Sequence, residues 1–137
     1  RMKKAAALLG LILWIAVAAA GCRFVKIEEE PHRALKYSIV KQEDVPREIL
    51  AMIQEKKEKE FQFTYQSGKE LFLVKGYGRQ LCGGYSISVE ELGCTSDAIY
   101  FHTKLLGPTK ENAAFSPPSY PYIVVKMTYR KAPVIFE

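Results

Sequence analysis

Hydrophobic and polar residues alternate through most of the chain after residue 60, and this period of two predicts a series of strands. Phe61, Phe63 and Tyr65 alternate with polar residues, and Ser67-Gly68-Lys69 separates them from the apolar segment 70–76. A short glycine turn between two such segments is typical of a β-hairpin. Further strands are predicted at residues 85–90, 98–106 and 122–129, with a short edge strand at 134–136.

A helix is predicted before these strands and after a short strand candidate at residues 36–41. Four apolar residues share one face at helical spacing, namely Val45, Ile49, Met52 and Ile53. Asp44 is expected to cap the helix, with Pro46 in its first turn. The predicted fold class is therefore α+β, with one N-terminal helix and a small, mainly antiparallel β-sheet or sandwich of about five to six strands.

The N-terminal segment has the pattern of an export signal. Two lysines follow Met2, residues 5–21 carry no charge, and Ala19-Ala20-Gly21 precedes Cys22. Small residues before a cysteine at the end of a short apolar segment resemble the lipobox of bacterial lipoproteins, in which the cysteine becomes a diacylated N-terminus. Two alternatives stay open, namely a plain signal peptide cut after Ala-x-Ala and an uncleaved membrane anchor.

This pattern divides the chain into three parts. We expect a lipoprotein signal peptide at 1–21, a charged tether at 22–34 and one domain at 35–137, with Cys22 as the lipidation site. The 137-residue chain has a formal net charge of +5, but Arg1, Lys3 and Lys4 supply three of these charges. From Cys22 onward the net charge is only +2, so no nucleic-acid partner is expected.

The two remaining cysteines, Cys82 and Cys94, are expected to be free thiols. A strand at residues 85–91 would span about 20 Å at roughly 3.3 Å per residue, whereas a disulfide needs Cα atoms within about 7 Å of each other. The spacing of these cysteines and histidines along the chain does not fit a zinc site, and His32 and His102 are the only histidines. No metal and no cofactor are therefore expected.

No set of residues indicates a catalytic site. A hydrolase needs a nucleophile, a base and an orienting group that converge. His102 is predicted on the surface of a strand, and His32 falls in the tether. Gly76-x-Gly78 lacks the strand-turn-helix context of a nucleotide-binding loop. We therefore expect a protein that is not an enzyme.

Two turns stand out as a candidate binding surface. Gly83-Gly84-Tyr85 opens one strand, and the proline-rich segment 116–121 leads into another. Tyrosines in or beside such turns suit partner recognition, because a rigid ring with a polar tip buries area at low entropic cost. The predicted partner-binding residues are Tyr77, Gly83, Gly84, Tyr85, Tyr120 and Tyr122. The alternative is that Tyr85 and Tyr122 are core aromatics and the glycines serve turn geometry.

The segments Gly83-Gly84-Tyr85-Ser86-Ile87 and Pro-Tyr-Ile-Val-Val-Lys at 121–126, in this order and at this separation, resemble the C-terminal domain of the PrcB family. That family is named for a lipoprotein subunit of a secreted protease complex, and the resemblance spans about residues 71–130. It implies a lipid-anchored protein on the extracytoplasmic face of the cell membrane or envelope. Its expected role is to bind or stabilise a protein partner, with a secreted serine protease as one candidate.

The sequence departs from the family pattern at Cys82, before the double glycine, and at Ser116-Pro117-Pro118-Ser119, before the last long strand. Both departures bear on the identity of the expected partner and not on the expected fold. Two alternative functions stay open. A small β-rich protease inhibitor would also present a Gly-Tyr turn and proline-containing loops to a catalytic cleft, and an envelope glycan-binding module would use exposed tyrosines.

Overall fold

The alternating segments form two four-stranded sheets that share one hydrophobic core. The computed structural model describes residues 30–109 and 116–137, so the predicted signal peptide and Cys22 lie outside the described residues. The strands are β1 (Arg33–Ala34), β2 (Ser38–Ile39), β3 (Glu60–Ser67), β4 (Glu70–Tyr77), β5 (Ser86–Cys94), β6 (Ile99–Leu106), β7 (Tyr122–Thr128) and β8 (Val134–Phe136). The helix α1 spans Arg47–Lys56 and follows a 3-10 turn at Gln42–Asp44.

Strand order is β1-β5-β6-β8 in the first sheet and β2-β7-β4-β3 in the second. All neighbouring strands are antiparallel except β6 and β8. The mostly β architecture with one helix agrees with the broad α+β prediction, but two of its details are wrong. The described residues form eight strands rather than five to six, and two strands precede the helix. Three of the eight have only two or three residues, too short to show an alternation.

β4 and β7 lie in the middle of the second sheet and are buried on both faces. One face of this sheet meets the first sheet across a core that contains Leu71, Leu73, Leu92, Ile99, Phe101, Ile123, Val125 and Met127. The other face packs against α1 through a second core that contains Val45, Ile49, Ile53, Phe72, Val74 and Val124. The described residues of the unit 32–137 thus form three layers, and this explains why 71–74 is continuously apolar rather than alternating.

The hairpin of β3 and β4 is confirmed, and its turn has two residues. Ser67 pairs with Glu70, which leaves Gly68 and Lys69 as the loop. Gly68 has a φ of 59°, the left-handed conformation that a type II′ turn requires at its first central position. The turn therefore fixes the register of the whole hairpin.

The apolar face of α1 is confirmed, but its predicted start is wrong. Val45, Ile49 and Ile53 are buried against the sheet. Pro46 is the N-cap, and its carbonyl oxygen accepts a hydrogen bond from the Leu50 amide at 3.1 Å. Asp44 belongs to the preceding 3-10 turn, in which its own amide donates to the Lys41 carbonyl at 2.9 Å, and it makes no side-chain cap.

β5 extends further than its alternation predicts because it contains a bulge. The pairing register of β5 with β6 shifts between Val89 and Glu91. The extra residue resets the alternation, so Leu92 joins the same core as Val89. The turn that follows β5 begins at Thr95, whose Oγ1 accepts hydrogen bonds from the amides of Asp97 and Ala98.

The end of the predicted tether is part of the first sheet. Arg33 and Ala34 form β1 and pair with Cys94 and Gly93 of β5. Just before them, His32 Nδ1 lies 2.9 Å from Glu91 Oε1, and the His32 ring stacks on Tyr100 at 4.0 Å. Among the described residues, no helix is long and apolar enough to cross a membrane.

Candidate partner-binding surface

The two turns that the sequence singles out lie side by side. The amide of Gln80 donates to the Ser119 carbonyl at 2.8 Å, and the Ser119 amide donates back to the Gln80 carbonyl at 3.1 Å. Between this bridge and the strands, the Tyr77 amide donates to the Pro121 carbonyl at 3.0 Å. The pairing of β4 with β7 therefore continues beyond the strand ends. We call residues 77–85 and 116–122 the paired loops.

Side chains close the paired loops further. The Ser119 hydroxyl donates to the Cys82 carbonyl at 2.7 Å, across the two segments. Within the first loop, the Gln80 side-chain amide donates to the Tyr77 carbonyl at 3.0 Å. Polar backbone groups of both segments are thus used internally, which gives the loops a defined shape.

Of the two adjacent glycines, only one occupies a position that requires glycine. Gly84 has a φ of 84°, and a Cβ added there would lie 2.8 Å from Pro108 Cβ. Gly83 has no positive φ, and a Cβ added there would make an ordinary 3.5 Å contact with Ser116 Cβ. The demand for glycine therefore falls on Gly84.

Tyr77 joins the paired loops to the opposite sheet. Its hydroxyl forms a hydrogen bond of 2.5 Å with Thr103 Oγ1, on β6. Lys75 Nζ lies 5.1 Å from the centre of its ring, and this nearly buried ammonium also donates to Glu60 Oε1 at 2.6 Å and to Gln62 Oε1 at 3.2 Å. Tyr77 is therefore held from both ends at the base of the loops.

The other three tyrosines are half-buried, and each has a different environment. Tyr122 packs against the core beneath α1, and burial raises the pKa of its phenol above the ordinary value. Tyr120 carries Lys57 Nζ above its ring at 4.6 Å. Tyr85 precedes β5, which begins at Ser86, and lies beside Gly107.

An open groove borders the second paired loop. Its volume is about 300 Å³, and it is lined by Ile39, Val40, Gln42, Tyr120, Pro121, Tyr122, Ile123 and Val124. Ile39 lies on β2, which flanks β7 on the side away from β4. Its side chain is 59% exposed. Sequence reasoning missed Ile39 because an isolated isoleucine in a short strand looks like a core residue.

Leu81 is the large hydrophobic residue that the first paired loop exposes. It is 85% exposed, directly after Gln80 of the bridge and before Cys82, whose carbonyl is held by Ser119. Single exposed leucines are common on protein surfaces. This one differs because the backbone on both sides of it, at Gln80 and Cys82, is hydrogen-bonded to Ser119. The only sequence signal for it was its place in the glycine-rich turn.

The histidine and cysteines with catalytic potential lie on different elements of the described structure. His102 is exposed on β6, opposite Glu91 of β5, as the alternation predicts for a surface histidine. Cys94 is buried and Cys82 half-buried, and both thiols are free. In residues 30–109 and 116–137, no three His, Cys, Asp or Glu side chains are grouped so that they could hold a metal ion.

Comparison with known proteins gives the segment that contains the paired loops a family. Residues 71–128 match the family described as PrcB C-terminal. The match confirms the resemblance and runs from β4 to β7, so it includes both paired loops. The comparisons with curated proteins and with solved structures found no match.

Replacing Gly84 with alanine is expected to lower the free energy of unfolding by about 1–3 kcal/mol, because a side chain at positive φ is strained and meets Pro108. Urea denaturation of the purified chain measures the loss. Gly83→Ala is the matched control and should cost much less. Equal losses for the two variants would show that the turn makes no special demand at Gly84.

Proposed function

We propose that this chain is a lipid-anchored extracytoplasmic protein whose PrcB C-terminal segment binds a protein partner through the paired loops and the adjoining groove. The observation that carries the proposal is the bridge between Gln80 and Ser119, which holds the exposed Leu81 beside a second, proline-rich loop. The family match supports an association with a protease complex. A secreted serine protease is accordingly our candidate for the partner.

Preformed loops lower the cost of binding. A partner that captures a flexible loop must offset the entropy of ordering it. Here the bridge and the Ser119 hydroxyl already define the backbone on both sides of Leu81. An apolar side chain held in this way can enter a pocket of the partner with little further ordering, as expected of a binding hot spot.

The six residues predicted from the sequence take different roles in this proposal. Tyr120 and Tyr122 line the groove, where their rings offer contact area to the partner. Tyr77 and Gly84 set the shape of the first loop, while Gly83 and Tyr85 form its return to β5. Leu81 and Ile39 join the surface as apolar contacts at its two ends.

Anchoring through Cys22 would keep this surface at the membrane. The support is the lipobox-like pattern at 19–22 and the charged segment between it and the domain. A diacylated cysteine binds a bilayer stably, whereas a single acyl chain gives marginal and reversible binding. The partner would then meet the paired loops on the extracytoplasmic face of the cell membrane or envelope.

Leu81→Asp is expected to weaken binding of the partner by about 2 kcal/mol, or roughly thirtyfold in Kd, because it places a charge in the partner's pocket. The fold should be unaffected, since Leu81 is exposed. The partner is first captured from detergent-solubilised cells with the parent chain, and its affinity for each variant is then measured by calorimetry.

Ile135→Asp is the matched control, because Ile135 is a 40% exposed isoleucine on β8, in the other sheet. It should keep the parent's affinity. If Leu81→Asp also binds the captured partner as the parent does, the paired loops are not the binding surface.

Cys22→Ser is expected to leave the precursor uncleaved or to release the domain from membranes, because it removes the acyl chains. Detergent-phase partitioning and the gel mobility of the expressed chain together measure the change. Cys82→Ser serves as the control and should match the parent in both. If Cys22→Ser keeps both the parent's gel mobility and its partitioning, lipidation is ruled out and an uncleaved helix is left as the anchor.

A further inference from the structure

β3 is the long open edge of the second sheet. It pairs with β4 on one side over eight residues, and no strand in the described part of the chain pairs with its other side. The other edge strands are β1, β2 and β8, which have only two or three residues each. An unpaired edge of this length offers a row of hydrogen-bonding groups to another strand.

The register of the hairpin determines which backbone N–H and C=O groups of β3 point away from β4. In a two-residue hairpin, the pair that flanks the turn is hydrogen-bonded, and the bonded pairs then alternate along the ladder. Ser67 and Glu70 flank the turn. The backbone groups of Phe61, Phe63 and Tyr65 therefore form hydrogen bonds with β4. The N–H and C=O groups that point away from β4 belong to Gln62, Thr64 and Gln66.

The sequence features that usually protect an edge strand are missing from β3 itself. Its sequence, Glu-Phe-Gln-Phe-Thr-Tyr-Gln-Ser, contains no proline, glycine or lysine, and its register with β4 is continuous, without a bulge. Its single charge is Glu60, at the first position, and this carboxylate is paired with Lys75. Natural proteins rarely leave so long an edge unprotected unless another strand covers it.

If a second copy of β3 pairs with this edge, compatible side chains lie opposite each other on both faces of the sheet. In an antiparallel pair centred on Thr64, Thr64 lies opposite Thr64 of the second copy, and Gln62 lies opposite Gln66. The half-buried aromatic stripe is continued as well, because Phe63 falls opposite Tyr65. Glu60 falls opposite Gly68 of the turn, so no like charges meet.

We propose that two copies of this chain associate by antiparallel pairing of their β3 strands, centred on Thr64. The two second sheets then form one continuous eight-stranded sheet. The interface does not rest on the proposed partner-binding function, since the paired loops extend β4 and β7 and leave the outer edge of β3 untouched. A dimer of this kind presents two sets of paired loops from one assembly.

Disulfide cross-linking of the full chain in native membranes tests the interface and its register. Hydrogen-bonded antiparallel residues have Cα atoms about 5.5 Å apart, within reach of a disulfide. In a Cys82→Ser background, Thr64→Cys is expected to form a covalent dimer on mild oxidation. Gln62→Cys and Gln66→Cys should not form dimers when expressed alone, but should form one when expressed together.

Ser38→Cys is the matched control, because it is an exposed position on β2, the opposite edge of the same sheet. It should not cross-link. The proposal is overturned if Thr64→Cys cross-links no more than Ser38→Cys. That result is expected if an unrelated peptide, rather than a second copy, occupies the edge. It is equally overturned if Gln62→Cys alone gives as much dimer as Thr64→Cys, since that register is different.

A charge swap provides a second, independent measurement. Thr64→Lys and Thr64→Glu each bring like charges together at the centre of the interface, and both chains should be monomeric by sedimentation in detergent. Mixing the two variants should restore a dimer, which a folding defect could not do. Dimers of either variant alone, or a mixture that stays monomeric, would contradict pairing at Thr64.

Discussion

The pairing of β4 with β7, buried on both faces, is the constraint on which the rest of this fold depends. Leu71 and Leu73 of β4 face the first sheet, whereas Phe72 and Val74 face the helix. Neither face is stable in water alone, because each exposes a continuous apolar surface. The sheet β1-β5-β6-β8 and the helix α1 therefore cover opposite sides of the same two strands, and the chain needs both layers.

The candidate binding surface is a continuation of that central pair. The ladder passes from Gly76 and Tyr122 to the bond between Tyr77 and Pro121, and then to the bridge between Gln80 and Ser119. Loops far apart in the sequence are thereby held together by the same type of backbone bond that joins the strands. This connection gives exposed residues such as Leu81 a fixed position, which a free loop could not provide.

Much of this arrangement could be predicted from residue patterns. The hairpin at Gly68, the buried face of α1 and the family resemblance at 83–87 and 121–126 each rest on local periodicity or local motifs, which a sequence records directly. Short strands such as β1 leave no periodic signal, and the bulge beside Glu90 resets the alternation. The bridge between the paired loops depends on tertiary pairing, so the sequence identified both loops without showing that they meet.

Amide hydrogen exchange at Gln80 and Ser119 in the full chain tests the central claim most directly. Both amides donate to the opposite loop in the structure. If the ladder continues into the loops, both should exchange about as slowly as the amide of Tyr77, with which they share that ladder. Exchange of the Gln80 and Ser119 amides as fast as that of an unstructured peptide would show that the paired loops are not joined in solution.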